Sequence, residues 1–163
     1  ALAEHDHTEE TQQLLDAMPD SDFTQVDDNL FHLLGPALIA DSVAVVGDQR
    51  RARQLAGLFR RHAGRMVNFA IGSIYLGWAE LYLGRLHTVL GDLDTARADL
   101  GVFLEKSIAL GAPILEARGR MALAEVDLVA GKPVDLSALI DRSRSLGYES
   151  VAVWGERLAA RNG

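Results

Sequence analysis

The residues best suited to binding chemistry lie in one short stretch, where aromatic and cationic side chains recur at helical intervals. Tyr75, Trp78, Tyr82 and Arg85 follow one another at spacings of three, four and three residues. In an α-helix these spacings place all four side chains on one side. The aromatic rings would anchor a peptide or a small effector, and the guanidinium would bind its carboxylate.

The same aromatic side chains have a second interpretation, which is packing in the core between helices. Under the binding interpretation, two further arginines on a later predicted helix would form the polar end of a concave groove. The candidate binding residues are Tyr75, Trp78, Tyr82, Arg85, Arg118 and Arg120.

No residue pattern predicts catalysis or a metal centre. His5, Asp6 and His7 offer two imidazoles and a carboxylate, but no third ligand follows at a diagnostic spacing, and a turn is the simpler interpretation. Phosphate-binding loops and the common hydrolase signatures are absent, and the chain has no Cys. The sequence therefore predicts no catalytic residue, no metal and no cofactor. The other histidines are isolated, which favours packing roles: His32, His62 and His87.

Two acidic pairs could be considered for general acid–base chemistry. Asp92 and Asp94, like Glu125 and Asp127, are two positions apart, so a helix directs the members of each pair to different faces. We interpret them as helix caps and solvated positions. An enzyme would need a pocket with buried, perturbed acids.

Charge is distributed unevenly along the 163 residues. The net charge is −7, and residues 1–30 hold nine acids without any Lys or Arg. This acidity argues against a nucleic-acid-binding surface. One basic segment is either a solvated helix face with ion pairs or a site for a phosphate group or an acidic partner. The acidic first 30 residues are a candidate for that partner. The arginines of the basic segment are Arg50, Arg51, Arg53, Arg60, Arg61 and Arg65.

Glycines at regular intervals indicate a helical repeat. Gly47, Gly91 and Gly131 each follow a long apolar helical pattern and precede a polar residue, at spacings of 44 and 40 residues. Gly can end a helix in the left-handed conformation and Asp can cap the next helix, so these junctions predict tight helical hairpins.

The apolar periodicity between the junctions predicts helices and no strand. The first helix of each hairpin is predicted at 28–46, 68–90 and 113–130, with a further helix before them at 8–18. A last helix at about 150–160 carries Val151, Trp154 and Leu158 on one stripe and would cover the open end of the stack.

One hairpin has small residues where two helices touch and large residues between, and it resembles a tetratricopeptide repeat with more than the usual length of about 34 residues. The residues that carry this resemblance are Leu83, Gly84, His87, Gly91, Leu93, Ala96 and Leu100. The resemblance implies an all-α fold of antiparallel helical hairpins, stacked as a tetratricopeptide-like α-solenoid with a C-terminal capping helix. Residues 1–163 would form one domain, with a truncated leading repeat and linker at 1–26, hairpins at 27–66, 67–111 and 112–147, and the capping helix at 148–163.

The run 38–159 resembles the C-terminal helical arrays of large bacterial signalling ATPases that are fused to a class III cyclase domain or a LuxR-type DNA-binding domain. The matching pieces include Val46-Gly47-Asp48, His62-Ala63-Gly64-Arg65, Tyr82-Leu83-Gly84, Leu90-Gly91 and Leu110-Gly111-Ala112-Pro113. The resemblance implies a non-catalytic, cytoplasmic regulatory module for signal transduction or transcription. Such a module would bind a domain of its parent chain, a partner protein or peptide, or a small effector.

Two alternatives stay open, a stand-alone small-molecule-binding helical domain and an RNA-binding helical repeat with a basic concave face. No apolar run approaches the ~20 residues that span a bilayer, so no membrane contact is predicted. A solenoid that is cut at one end exposes apolar faces there, which favours self-association as a homodimer.

Overall fold

Helices dominate residues 8–17, 33–69 and 74–162, the ranges that the computed structural model describes. Within them lie eight helices and one two-stranded sheet, so the predicted predominance of helix is confirmed. The elements are α1 (Thr8–Ala17), α2 (Leu34–Val46), α3 (Gln49–Arg61), β1 (Met66–Phe69), β2 (Ile74–Trp78), α4 (Ala79–Leu90), α5 (Leu93–Leu110), α6 (Pro113–Val129), α7 (Ser137–Ser145) and α8 (Glu149–Asn162). The predictions for His5, Asp6, His7 and His32 lie outside the described residues.

Gly–Asp junctions turn one helix into the next, as the sequence predicts. Gly47 ends α2 with a φ of 77°, in the left-handed region that glycine adopts without strain. Asp48 caps α3, and its carboxylate accepts a hydrogen bond from the backbone N–H of Arg51 at 3.0 Å. Gly91 and Asp92 repeat this arrangement between α4 and α5. The interpretation as tight hairpin turns is therefore confirmed for Gly47 and Gly91. It is wrong for Gly131, because the next helix begins only at Ser137.

The predicted helix at 68–90 is wrong at residues 68–69 and 74–78. These residues belong to strands β1 and β2, which pair antiparallel with Met66 opposite Trp78. Gly77 has a φ of 108°, which a right-handed helix excludes, and a Cβ at that position would lie 2.9 Å from the ring of Phe103. Close approach to α5 therefore requires glycine in an extended strand here, and helix α4 begins only after it.

Helices α2, α4, α6 and α8 form a row in which each helix contacts the next. Helices α3, α5 and α7 connect the members of the row, and each contacts the helix before it and the helix after it. Helices α4 and α5 cross closely at Gly84, because a Cβ there would lie 2.3 Å from Leu100 Cγ and 3.1 Å from the carbonyl oxygen of Ala96. The small residues Gly84 and Ala96 therefore let the two backbones approach each other.

The core has two parts. The larger part joins α2 to α6, and at its centre Phe59 and Tyr82 stack with their ring centroids 5.1 Å apart. The smaller part lies between α6, α7 and α8, where Val151 and Leu158 are buried as the apolar stripe of the last helix predicts. Trp154 contacts both parts and is itself only half-buried. Helix α8 thus covers α6 and leaves one aromatic ring partly accessible.

Candidate ligand-binding groove

An open groove runs along the row of helices α2, α4, α6 and α8. Its volume is about 530 Å³, within the roughly 300–1,000 Å³ that is typical of small-molecule sites. We call it the inner groove. Its apolar lining consists of Leu38, Val45, Tyr75, Leu76, Ile114, Leu115, Val151, Trp154 and Leu158.

Charged side chains also line the inner groove, and cations outnumber acids. Four are arginines and two are acids, so the lining is positive in a chain whose net charge is −7. A positive cleft with apolar walls concentrates anions and repels cations. The six residues are Arg85, Arg118, Arg157, Arg161, Asp41 and Glu125.

Asp41 joins two of these arginines. Its carboxylate accepts hydrogen bonds from Arg85 and, at 3.5 Å, from Arg118. Arg118 also donates to the carbonyl oxygen of Leu76 at 2.6 Å, and the same oxygen accepts a hydrogen bond from the Tyr82 hydroxyl at 3.2 Å. This network ties α2, α4, α6 and β2 together and fixes the arginines in the groove wall.

Arg85 is the most deeply buried cation of the inner groove, with 7% of the residue exposed. Its guanidinium carbon lies 4.5 Å from the ring centroid of Trp154, a cation–π contact. Among the described residues, the Nε–H of Arg85 finds no acceptor. A buried donor without a partner costs about 1–3 kcal/mol, which the anionic group of a ligand could recover.

Glu125 is a half-buried acid in the same groove. Burial raises the pKa of its carboxyl above the ordinary value of 4.5, and the positive charges of Arg85 and Arg161 only partly oppose that shift. The interpretation of Glu125 as a solvated position is therefore wrong. Asp92, in contrast, caps α5 as predicted, since it accepts a hydrogen bond from the backbone N–H of Thr95 at 3.3 Å.

The structure brings together three of the six predicted binding residues. Tyr75, Arg85 and Arg118 line the inner groove, although Tyr75 lies on β2 and the two arginines lie on α4 and α6. The single helical face inferred from the spacing of residues 75 to 85 does not exist, because the first part of that stretch is a strand. Arg120 lies elsewhere, where it pairs with Glu116 of its own helix at 2.9 Å.

The other two predicted residues belong to the packing between elements, which is the alternative interpretation of these aromatics: Tyr82 lies in the core and the partly buried Trp78 packs against it. Trp78 packs edge-on against Phe103, with 6.1 Å between the ring centroids. Tyr82 is 1% exposed and stacks on Phe59. Burial raises the pKa of the Tyr82 phenol to about 12.

Several groove residues were not predicted from the sequence. The sequence placed Trp154 on the apolar face of the capping helix, but it did not indicate that the ring lines a groove. The signal for Asp41 was absent, since an acid within an apolar helix becomes informative only when its arginine partners, from α4 and α6, are known. The residues missed are Asp41, Glu125, Trp154, Arg157 and Arg161.

A second buried polar cluster lies on the opposite side of α4. Asp99 is 8% exposed and accepts two hydrogen bonds from Arg60, each at 3.1 Å. The Nδ1 atom of His87 lies 2.9 Å from the same carboxylate. We call these three residues the outer cluster. It joins α3, α4 and α5, which is a packing role of the kind predicted for His87.

Some arginines of the basic segment at residues 50–65 form ion pairs. Arg51 is buried and pairs with Asp48 at 2.6 Å and with Asp16 of α1 at 3.4 Å. Asp16 belongs to the acidic first 30 residues, so one contact between that region and the basic segment is present. For Arg51 and Arg60 the ion-pair interpretation is confirmed.

No group of three or more His, Asp or Glu side chains in the described ranges is arranged to hold a metal ion. Nor does any helix in those ranges combine the length and the apolar composition that a bilayer crossing requires. Neither a family model, nor a curated protein, nor a solved structure matches this chain. The geometry of the inner groove is therefore the basis for a functional proposal.

Proposed function

We propose that this chain is a non-catalytic regulatory module that binds a small effector in the inner groove. The observation that carries the proposal is Arg85, a buried cation in the wall of a groove of small-molecule size, whose Nε–H has no acceptor within the part of the chain that the structure describes. Buried donors in folded proteins nearly always have acceptors, and the anionic group of an effector would supply one. Apolar walls with a few polar groups are the usual composition of such sites.

A tetratricopeptide-like stack is part of this proposal. Helices α2, α4, α6 and α8 contact one another in sequence, and a returning helix follows each of the first three. Stacked hairpins would produce this order of contacts, and the concave surface of such a stack is its usual binding surface. The inner groove lies along that row of helices, which supports its assignment as the binding surface.

A small effector is favoured over a peptide that would pass along the whole groove. Arg161, near the end of α8, donates a hydrogen bond to the carbonyl oxygen of Val45, near the end of α2, at 3.4 Å. This contact bridges α8 and α2 across one end of the groove, which disfavours the passage of an extended chain through that end. In a larger signalling ATPase of the kind this chain resembles, an effector would shift the parent enzyme between two states by its difference in affinity for them.

The proposal can be tested by nuclear magnetic resonance on the isotopically labelled chain. A library of small acids, amines, neutral amphiphiles and short peptides is titrated, and chemical-shift changes are mapped. We expect the changes to concentrate around Arg85, Asp41 and the Trp154 indole. Ser42 lines the groove, so a Ser42→Trp variant should fill it and abolish these changes.

The matched control is Ser145→Trp, which places the same ring at an exposed position at the end of α7. This variant should respond to the library as the wild type does. Shift changes that map outside the groove, or that survive in Ser42→Trp, would contradict the proposal.

A further inference from the structure

The inner groove has an apolar open end. Leu38, Tyr75 and Ile114 line it there and are 54%, 55% and 41% exposed, which is high for large apolar side chains. Leu38 and Ile114 lie near the beginnings of α2 and α6, and Tyr75 lies on the strand before α4. These three residues, from three separate elements, form what we call the apolar mouth. Such a patch fits contact with the apolar part of a ligand.

Positive charge lies deeper in the groove and at its far end. Arg85 occupies the middle, paired with Asp41 and facing Trp154, and its Nε–H lacks an acceptor among the described residues. Arg161 lies at the far end, where it donates a hydrogen bond to the carbonyl oxygen of Val45. The groove is therefore polar at depth and apolar at the entrance.

From this polarity we infer that the ligand is a medium-chain carboxylic acid, with its carboxylate at Arg85 and its hydrocarbon chain leaving through the apolar mouth. The inference rests on the proposed function, since it names the chemical class of the effector. A carboxylate accepts hydrogen bonds from a guanidinium in a geometry that matches both groups. The chain would cover exposed apolar surface, which favours binding by about 25 cal/mol for each Å² removed from water.

The charges of the groove and the distance from Arg85 to the apolar mouth narrow the chemical class of the ligand. Glu125 lies in the same groove and interacts electrostatically with Arg85 and Arg161, so a dianion such as a phosphate monoester would meet a second negative charge beside the cations it needs. Asp41, the partner of Arg85, and Leu38 are three residues apart on α2, which is roughly 4.5 Å along the helix axis. A chain of medium length therefore reaches the apolar mouth from Arg85 and covers it, whereas acetate does not.

Calorimetry on the full 163-residue chain tests the inference with four probes that share a ten-carbon chain. They are decanoate, decyl phosphate, decanol and decylamine, each used below the concentration at which it forms micelles, with acetate as the acid that lacks a chain. We expect decanoate to bind one to one and decylamine not to bind. We expect decanol, decyl phosphate and acetate to bind at least about tenfold more weakly, because each lacks one of the two features or adds a repelled charge.

Variants locate the two ends of the bound acid. Arg85→Met should weaken decanoate binding by about tenfold or more, whereas Arg120→Met, an exposed arginine outside the groove, should leave it unchanged. Leu38→Asp places a charge in the apolar mouth and should weaken decanoate severalfold. Its control is Ile108→Asp on α5, where the native side chain is 52% exposed and lies away from the groove. If Arg85→Met does not fold, Arg85→Lys carries the head-group test, because it keeps the charge and removes the planar guanidinium.

The outcomes separate this inference from the proposed function. Equal or tighter binding of decyl phosphate, decanol or decylamine overturns the inference, as does decanoate binding that Arg85→Met and Leu38→Asp both leave intact. If decanoate fails but a library compound perturbs the groove, the inference falls and the proposed function stands. If no compound perturbs the groove, both fall.

Discussion

Two polar arrangements lie on opposite sides of α4. One is the outer cluster, and the other is the set of hydrogen bonds that joins Asp41, Arg85 and Arg118, which we call the groove network. Each centres on a carboxylate, Asp99 in the first and Asp41 in the second, and each receives one partner from α4, His87 or Arg85. Asp99 and Arg85 are buried almost equally, at 8% and 7% exposed. Their hydrogen bonding differs, however, and this difference is informative.

In the outer cluster both oxygens of the Asp99 carboxylate are engaged, and the cation that pairs with it, Arg60, extends to solvent with about half of its side chain exposed. In the groove network the buried group is the cation, and its Nε–H lacks an acceptor among the described residues. The first arrangement is complete without a ligand and holds three helices together. The second leaves one buried donor unmatched among the described residues, in the wall of an open groove, and such a group calls for an explanation such as a ligand.

The largest expected change in the free energy of unfolding comes from an aromatic residue of the core, and it sharpens the comparison between the core and the groove. Tyr82→Ala should lower the free energy of unfolding by about 3–5 kcal/mol, because it removes a buried ring that stacks on Phe59. Tyr75→Ala, at the exposed mouth of the groove, should change it by less than about 0.5 kcal/mol. Denaturant unfolding followed by circular dichroism measures both. Similar losses in the two variants would contradict the assignment of one residue to the core and the other to the groove.

An intermediate effect tests the two carboxylates directly. Asp41→Asn should cost about 3 kcal/mol, because it leaves the buried Arg85 without its ionic partner. Asp99→Asn should cost less, about 1 kcal/mol, because Arg60 is half-exposed and water can solvate it. The order of the two unfolding midpoints measures the contrast. The opposite order would mean that Asp99, not Asp41, neutralises the costlier charge.

The smallest expected change is a pH-dependent gain in stability when Glu125 is replaced. Because the pKa of Glu125 is raised in the folded chain, its contribution to stability is fully present below the ordinary pKa of 4.5 and is lost as pH rises through the raised value. Glu125→Gln removes this loss, so the variant should match the wild type at low pH and exceed it in stability at neutral pH. The gain should be smaller than the losses expected for the two aspartate variants.

Melting curves recorded across this pH range give the comparison for Glu125→Gln. The control is Glu105→Gln, an exposed acid on α5. A variant that loses stability at neutral pH would show that Glu125 is stabilised as an anion, and burial would then not be the dominant influence on its carboxyl group.

Sequence patterns predicted the local structure that short-range chemistry determines. The Gly–Asp junctions and the apolar stripe of the last helix were correct, because capping and periodicity act within a few residues. The β-hairpin was missed because Tyr75 and Trp78 happen to repeat at a helical spacing. What excludes a helix there is Gly77 lying against Phe103, a contact between separate elements.

The groove was only partly predictable for a similar reason. Arg85 was predicted because it shares a helical spacing with aromatic residues, and Arg118 was predicted as part of the polar end of a groove. Their partners Asp41 and Trp154 lie far away in sequence, and no local pattern marks them. A site assembled from five elements is recognised only after the packing of those elements is known.

The cation–π contact between Arg85 and Trp154 has a practical consequence. The chain contains two tryptophans, of which one lies against the candidate site and the other, Trp78, is packed against Phe103. The emission of the Trp154 indole should respond when an anion changes the position of the neighbouring guanidinium, while that of Trp78 should stay constant. The protein thus contains a native optical probe with an internal reference, and occupancy can be followed without any label.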